Sequence, residues 1–487
     1  MSVVQRVDNV ALLPGYLAAG TAVLVLLVDL VVARRAVTVA VSALGAAGTA
    51  LGAALVGAAG IRRTFCVGAD CSWVWNGRAA LVGVVIALLT LGVLAISGPL
   101  LRAGRTPAGE YCFLLACAMT GGVVLGAAGD LITLVVALET LTLPLYVLVG
   151  LRRGSLAGAE AAVTFFVVSV VATTVTLLGA ALLYAVTGSL HLDRLGGTLA
   201  ARDDLRDLPL TTVAVALVVA GLAFKVAAVP FHAWAPATYD GAPLPVAAYL
   251  STASKLGGLV ALLAVVQRAL PAGVTGPVLA GLAALTMTVG NLVALRQRRT
   301  VRLLAWSSVA QAGYLLAPLG ALALAAGRTP DARDGAYAAA VAYAVFFVLL
   351  ELAAFAAVVA LRPADGDGGT LADLRGAARR HPWVGGAFAL ALIGLAGLPP
   401  GLAGLFAKVT VVRSLLAGHA GWLALVVALN AVLGLAYYLR VAATLYGPSA
   451  AGGARPARGV VWALGAATVA AVVIGFAPQL VLDVAAR

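Results

Sequence analysis

The sequence predicts an all-α polytopic membrane protein of about fourteen transmembrane helices, and three observations carry that prediction. Of its 487 residues, 63% are hydrophobic and only 10% are charged, which leaves too little polar surface to coat a soluble core. Apolar runs long enough to cross a bilayer recur from end to end. The longest polar stretches, 191–209 and 362–383, are short enough to be interfacial loops with one short helix each, so the chemistry must lie inside the bilayer or at its faces.

Taken in order, spans are expected at 10–33, 36–60, 79–101, 111–128, 130–150, 160–187, 211–230, 244–267, 273–295, 302–325, 336–361, 384–416, 420–446 and 459–484. The first reads as an ordinary span, because no cleaved signal peptide is evident. The seventh and twelfth are expected to be discontinuous. Pro230 removes the donor that would bond the Val226 carbonyl, and Pro399 and Pro400 interrupt an apolar run too long for one straight crossing. Broken helices in corresponding places suggest two inverted five-helix repeats, with ion sites where unwound backbone lines a cavity. The expected division is 1–110 for spans one to three, 111–272 for the first repeat, 273–446 for the second, and 447–487 for the last span.

A formal net charge of +13 would suggest nucleic acid in a soluble protein. No nucleic-acid partner is expected here, because the arginines sit in short loops as topology signals and the surrounding partner is the lipid bilayer. The side holding Arg34, Arg35, Arg296, Arg298, Arg299, Arg302, Arg375, Arg379 and Arg380 carries more of them than the side holding Arg62, Arg63, Arg78 and Arg268. The positive-inside rule therefore places both termini outside the cytoplasm. Cys66 and Cys71 fall in an outside loop, where a disulfide can form, whereas Cys112 and Cys117 read as small buried residues of the fourth span. Neither pair has metal-site spacing with histidine partners, so no metal is assigned.

Of the 32 lysines and arginines only Lys225, Lys255 and Lys408 are lysine, and all three lie inside expected spans. An ammonium at the bilayer centre costs about 2.5–3.5 kcal/mol on insertion scales, so a chain that keeps it there usually uses it. A desolvated lysine can release and regain a proton near neutral pH, whereas arginine stays charged, so the three point to proton transfer and not to static pairing. Anchoring by snorkelling is the competing reading, and it suits span ends only.

Glu139 and Glu351 also lie in the middle of spans. Glu139 is a natural ion-pair partner for one lysine, and a carboxylate and a lysine that exchange partners make a switch. Glu351 either plays the same part in the second repeat or is a neutral buried acid. His232, just past the first break, either passes protons from Lys225 or bonds freed backbone. His191, His381 and His419 lie in loops and read as solvated. No phosphate-binding glycine loop, dinucleotide fingerprint or haem motif is present, so energy must come from an ion gradient or a redox partner.

Three stretches carry a resemblance: "GLAFKVAAVPFHAWAPATYDGAPLPVAAYLSTASKLGG" (221–258), "VRLLAWSSVAQAGYLL" (301–316) and "GLPPGLAGLFAK" (397–408). They resemble the antiporter-like, proton-translocating subunits of respiratory complex I, the bacterial NADH-quinone oxidoreductase, and within that family the subunit N branch. The resemblance implies a membrane-arm translocase subunit that couples NADH:quinone electron transfer in partner subunits to proton pumping. It implies subunits K and M and their neighbours as partners, quinone, FMN and iron-sulfur clusters held by partner subunits and not by this chain, and residence in the bacterial plasma (inner) membrane. It also implies a Glu139–Lys225 pair, a central relay lysine at Lys255 and a second half-channel lysine at Lys408. Thr164 stands where many relatives carry a sixth-span lysine, and Gln311 where many carry a histidine. Those departures leave a conduction-impaired scaffold as one alternative; a subunit of a multi-subunit cation/proton antiporter, which shares the same core, is the other.

Overall fold

The computed structural model describes residues 7–152, 154–363, 366–448 and 456–486. Arg6, Arg153, Arg455 and Arg487, which also bear on the orientation, lie outside the described residues. Helices dominate, and among the described residues eleven of them are long and apolar enough to cross a membrane. The fourth to eighth crossings are Ala108–Gly126, Leu131–Gly150, Leu156–Thr187, a broken crossing, and Leu244–Arg268. The ninth to thirteenth repeat that order as Ala272–Ala294, Thr300–Gly320, Pro330–Leu361, a second broken crossing, and Gly421–Tyr446. The third member of each set is a helix of 32 residues, longer than a straight crossing needs, and the fourth is broken. Since each set has an odd number of crossings, the second starts from the opposite side.

The first broken crossing is Pro209–Lys225 followed by Trp234–Gly241. Its helix stops at Lys225 itself and not at Pro230, because Ala227 turns to a φ of +59°. The freed backbone is satisfied from elsewhere: Val229 N–H donates to Thr286 Oγ1 at 3.0 Å, and Trp234 Nε1–H donates to Phe224 O at 3.1 Å. The second broken crossing is Pro382–Ala396 followed by Leu402–Ala417, with Pro399 and Pro400 in the gap as expected.

The two halves of that crossing lie so close that a Cβ at Gly404 would sit 1.6 Å from the Gly394 carbonyl oxygen. Gly404→Ala is therefore expected to destabilise the assembled protein by about 1–3 kcal/mol through overpacking. Thermal inactivation of the solubilised protein measures this, and a wild-type midpoint would contradict the close crossing.

Two features depart from an unbroken all-helical reading. The loop between the second and third crossings is a β-hairpin, Arg62–Val67 paired antiparallel with Asp70–Trp75, and Cys66 is bonded to Cys71 across it. Trp73 from this hairpin donates Nε1–H to Ala11 O at 2.9 Å and so ties the hairpin to the first crossing. The eighth crossing contains a π-helical stretch, Leu250–Ser254, immediately before Lys255. Such widened turns are frequent at functional sites. Leu244–Arg268, Thr300–Gly320 and Pro330–Leu361 are the most buried crossings, and the first and third carry Lys255 and Glu351 through the centre of the bundle.

Candidate functional site

The site is a line of charged and hydroxyl side chains running through the middle of both helix sets. It starts on Leu131–Gly150, where Glu139, Thr142 and Tyr146 fall at i, i+3 and i+7 and so share one helical face. Leu156–Thr187 presents Ser169 and Thr173, spaced i and i+4, toward that face. Lys225 enters from the C-terminal end of its half-helix, where the partial negative charge of the helix end favours a cation.

Lys225 Nζ donates to Glu139 Oε1 at 2.7 Å, to Ser169 Oγ at 2.8 Å and to Thr142 Oγ1 at 3.4 Å. The pair is withdrawn from the surface, with the Lys225 side chain 4% and the Glu139 side chain 19% exposed. Glu139 keeps donors of its own: Thr173 Oγ1 at 2.5 Å to Oε1, and Thr142 Oγ1 at 3.2 Å to Oε2. The Tyr146 hydroxyl reaches Glu139 Oε2 at 3.4 Å, Thr142 Oγ1 at 3.3 Å and Ser169 Oγ. Taking a proton from Lys225 therefore does not leave the carboxylate without partners, so the pair can open as a switch must.

From Lys225 the line passes to Lys255 by a close helix approach. Gly258 lies against the backbone of Lys225, where a Cβ would come within 2.8 Å of its carbonyl carbon and oxygen. Lys255 sits three residues earlier on the same helical face. Its Nζ donates to Ser308 O at 2.5 Å, and its electrostatic partner is Glu351. The two do not touch: no ion pair joins them among the described residues, and neither Glu351 oxygen has a protein hydrogen-bond partner although the residue is fully buried. A buried carboxylate in that state needs water to complete its hydrogen bonds.

Gln311 carries the line onward from Thr300–Gly320, the helix that also bears Ser307 and Ser308. Ser307 Oγ and Tyr438 OH lie 2.5 Å apart, and Gln311 Nε2 donates to Tyr438 OH at 3.1 Å and to Leu395 O at 3.1 Å. The Tyr343 hydroxyl donates to Gln311 Oε1. Lys408 Nζ donates to the same Leu395 carbonyl at 3.1 Å and to Ala396 O at 2.6 Å, and it lies 4.8 Å from the centre of the Tyr314 ring. These carbonyls end the half-helix Pro382–Ala396 and lack helical partners, so the break supplies the acceptors for the second-set lysine.

The structure thus joins Glu139 to Lys225, brings Gln311 and Lys408 onto one shared acceptor, the Leu395 carbonyl, and places Lys255 near Glu351 without contact. It does not bring Thr164 to the pair. Thr164 is exposed and lies on the face of Leu156–Thr187 opposite Thr173, nine residues away. Ser169 and Thr173 occupy the place beside Glu139 instead. His232 is half-buried against the Trp306 ring, 5.1 Å between centroids, with Nδ1 lacking a partner. Composition had not singled out the hydroxyls of Thr142, Tyr146, Ser169 and Thr173, yet their helical spacing from Glu139 and from one another was a usable signal. Among the described residues no His, Cys, Asp and Glu cluster could hold a metal.

Comparison with known proteins agrees with this arrangement. The family model described as NADH:quinone oxidoreductase/Mrp antiporter matches residues 128–434. NADH-quinone oxidoreductase subunit N of Salinispora tropica is 75% identical over the full length of both chains. A chain of respiratory complex I from Thermus thermophilus superposes with a TM-score of 0.80 at 29% identity, covering 97% of this chain and 99% of that one. A chain of the Mrp complex from Dietzia shares the fold, with a TM-score of 0.82 at 22% identity over 97% of this chain and 96% of that one. The chain belongs to the subunit N family of NADH-quinone oxidoreductase, the antiporter-like, proton-translocating subunits of the complex I membrane arm.

Proposed function

We propose that protons cross this subunit along Glu139, Lys225, Lys255 and Lys408, with Gln311 and Tyr438 bridging the last two lysines and Glu351 acting as counter-charge to Lys255. The observation that carries the reading is the Glu139–Lys225 ion pair at 2.7 Å, held by three hydroxyl side chains: Ser169 on Lys225, Thr173 on Glu139 and Thr142 on both. His232, at the mouth of the first break, hands protons between Lys225 and the nearer face. Residues 111–272 and 273–446 act as two half-channels, a reading supported by the matched order of their crossings. The described residues of 1–110 and 447–487 pack around them.

The energy for this transfer comes from NADH:quinone electron transfer in partner subunits, which hold the FMN, iron-sulfur clusters and quinone. Subunits K and M of the membrane arm are its neighbours, in the bacterial plasma membrane. Both termini lie outside the cytoplasm, a placement supported by the Cys66–Cys71 disulfide, since such bonds persist on the oxidising side. An impermeant thiol reagent that reached reduced Cys66 only from the cytoplasmic side would reverse this orientation. The scaffold alternative loses one of its two motives with Thr164 on the wrong helix face, and the other with Gln311 hydrogen-bonded toward Lys408.

The test is a pair of substitutions on one helix in the intact oxidoreductase, with NADH-driven proton pumping followed in membrane vesicles. Ser169→Ala is expected to lower pumping several-fold because Lys225 loses a partner, whereas Thr164→Val leaves it unchanged. Equal effects of the two, or none from Ser169→Ala, would sink the reading.

A further inference from the structure

A cavity of about 320 Å³ opens away from the relay, between Gly77–Ile96, Leu244–Arg268 and Pro330–Leu361. Its rim and its walls differ in kind. Arg63, Arg78 and Arg268 stand at the rim with Asp193, while the walls are Val82, Val85, Leu256, Leu259 and Val341. The rim lies at the membrane face that carries the disulfide hairpin, since Arg63 belongs to that hairpin and Cys71 itself lines the opening.

The rim has a surplus of positive charge. Arg268 is paired with Asp193 at 2.7 Å, but Arg78 meets only the neutral Gln267 side chain, Nη1 to Oε1 at 2.8 Å, and its buried Nε has no partner. Arg63 is exposed beside it. Two guanidinium groups are thus left over a mostly apolar shaft, where a fork of N–H donors suits a phosphate. The shaft reaches from Gln267 to Leu256 along one helix, a run of roughly 16 Å at 1.5 Å per residue. That is about half the 30 Å thickness of a bilayer hydrocarbon core, the depth of one leaflet.

We propose that this cavity is a site for an acidic phospholipid, with its phosphate on Arg78 and Arg63 and one acyl chain lying in the shaft. Charge complementarity and depth select this occupant: a neutral quinone leaves the guanidinium groups unmatched, and an apolar helix of a neighbouring subunit does the same. A lipid seated here wedges the eighth and eleventh crossings, which carry Lys255 and Glu351, without touching either residue.

The experiment uses the intact oxidoreductase purified in mild detergent. Tightly bound lipid is extracted and counted by class, and the same preparation yields a high-resolution map. Arg63→Gln/Arg78→Gln is expected to lose one acidic phospholipid per complex with neutral lipids unchanged, and Leu259→Trp, which fills the shaft without altering charge, to lose the same lipid. Density in the wild-type map should run from Arg78 to Leu256. Should either variant fail to assemble, the wild-type map decides alone: a protein helix, a quinone ring or water in the cavity overturns the proposal, as does an unchanged acidic lipid count in an assembled variant.

Discussion

Lys225→Ala is expected to cut NADH-driven proton pumping several-fold in vesicles whose content of assembled complex is unchanged. Removing one partner of a buried ion pair ordinarily destabilises by about 3–5 kcal/mol, because the other charge is stranded. Here Glu139 retains Thr173, Thr142 and Tyr146, so the cost to folding is reduced while the proton carrier is gone. Lys225→Arg separates the two roles. Arginine restores the positive charge beside Glu139 but does not give up its proton, so assembly should match wild type while pumping stays low. Recovery of pumping by Lys225→Arg would show that the charge is structural.

The central pair has the second large effect, and it acts first on assembly. Lys255 is 2% exposed and Glu351 is fully buried with no protein donor on either oxygen. Lys255→Met alone leaves that carboxylate without its counter-charge and is expected to reduce the assembled complex, because an uncompensated charge in an apolar interior is costly. Replacing both, as Lys255→Met/Glu351→Leu, removes two desolvated charges together, which is often neutral for stability. The double variant should therefore assemble better than the single and still fail to pump. Quantifying complex in the membrane beside its pumping rate checks both halves; a double variant that assembles no better than the single would show that the two charges are not coupled.

What the chain displays in its sequence are the features whose signal is long or chemically rare. Apolar runs of about twenty residues mark the crossings, and three lysines among many arginines mark the proposed carriers. Prolines mark the two breaks, Pro230 the first and the Pro399–Pro400 pair the second, because the missing N–H is a property of the residue itself. The geometry that depends on neighbouring helices was not legible. The first break opens at Lys225, before Pro230, because Thr286 of another crossing holds the Val229 N–H. Thr164 occupies the expected position by counting along the chain, but the turn of its helix points it outward and brings Ser169 and Thr173 inward. The β-hairpin was hidden because its strands of six residues each lie in a short polar gap between two strong helical signals. The π-helical stretch before Lys255 leaves no compositional mark at all.

One measurement bears most directly on the relay as a continuous path: a map of the intact complex at a resolution that shows ordered water. The hydrogen bonds of the protein alone leave three intervals: between Lys225 and Lys255, between Lys255 and Glu351, and between Glu351 and Tyr438. The account predicts water at hydrogen-bonding distance in all three, with at least one molecule on the Glu351 carboxylate, so that a chain of donors and acceptors runs from Glu139 to Lys408. Tightly packed apolar side chains with no water in any one of these intervals would contradict it.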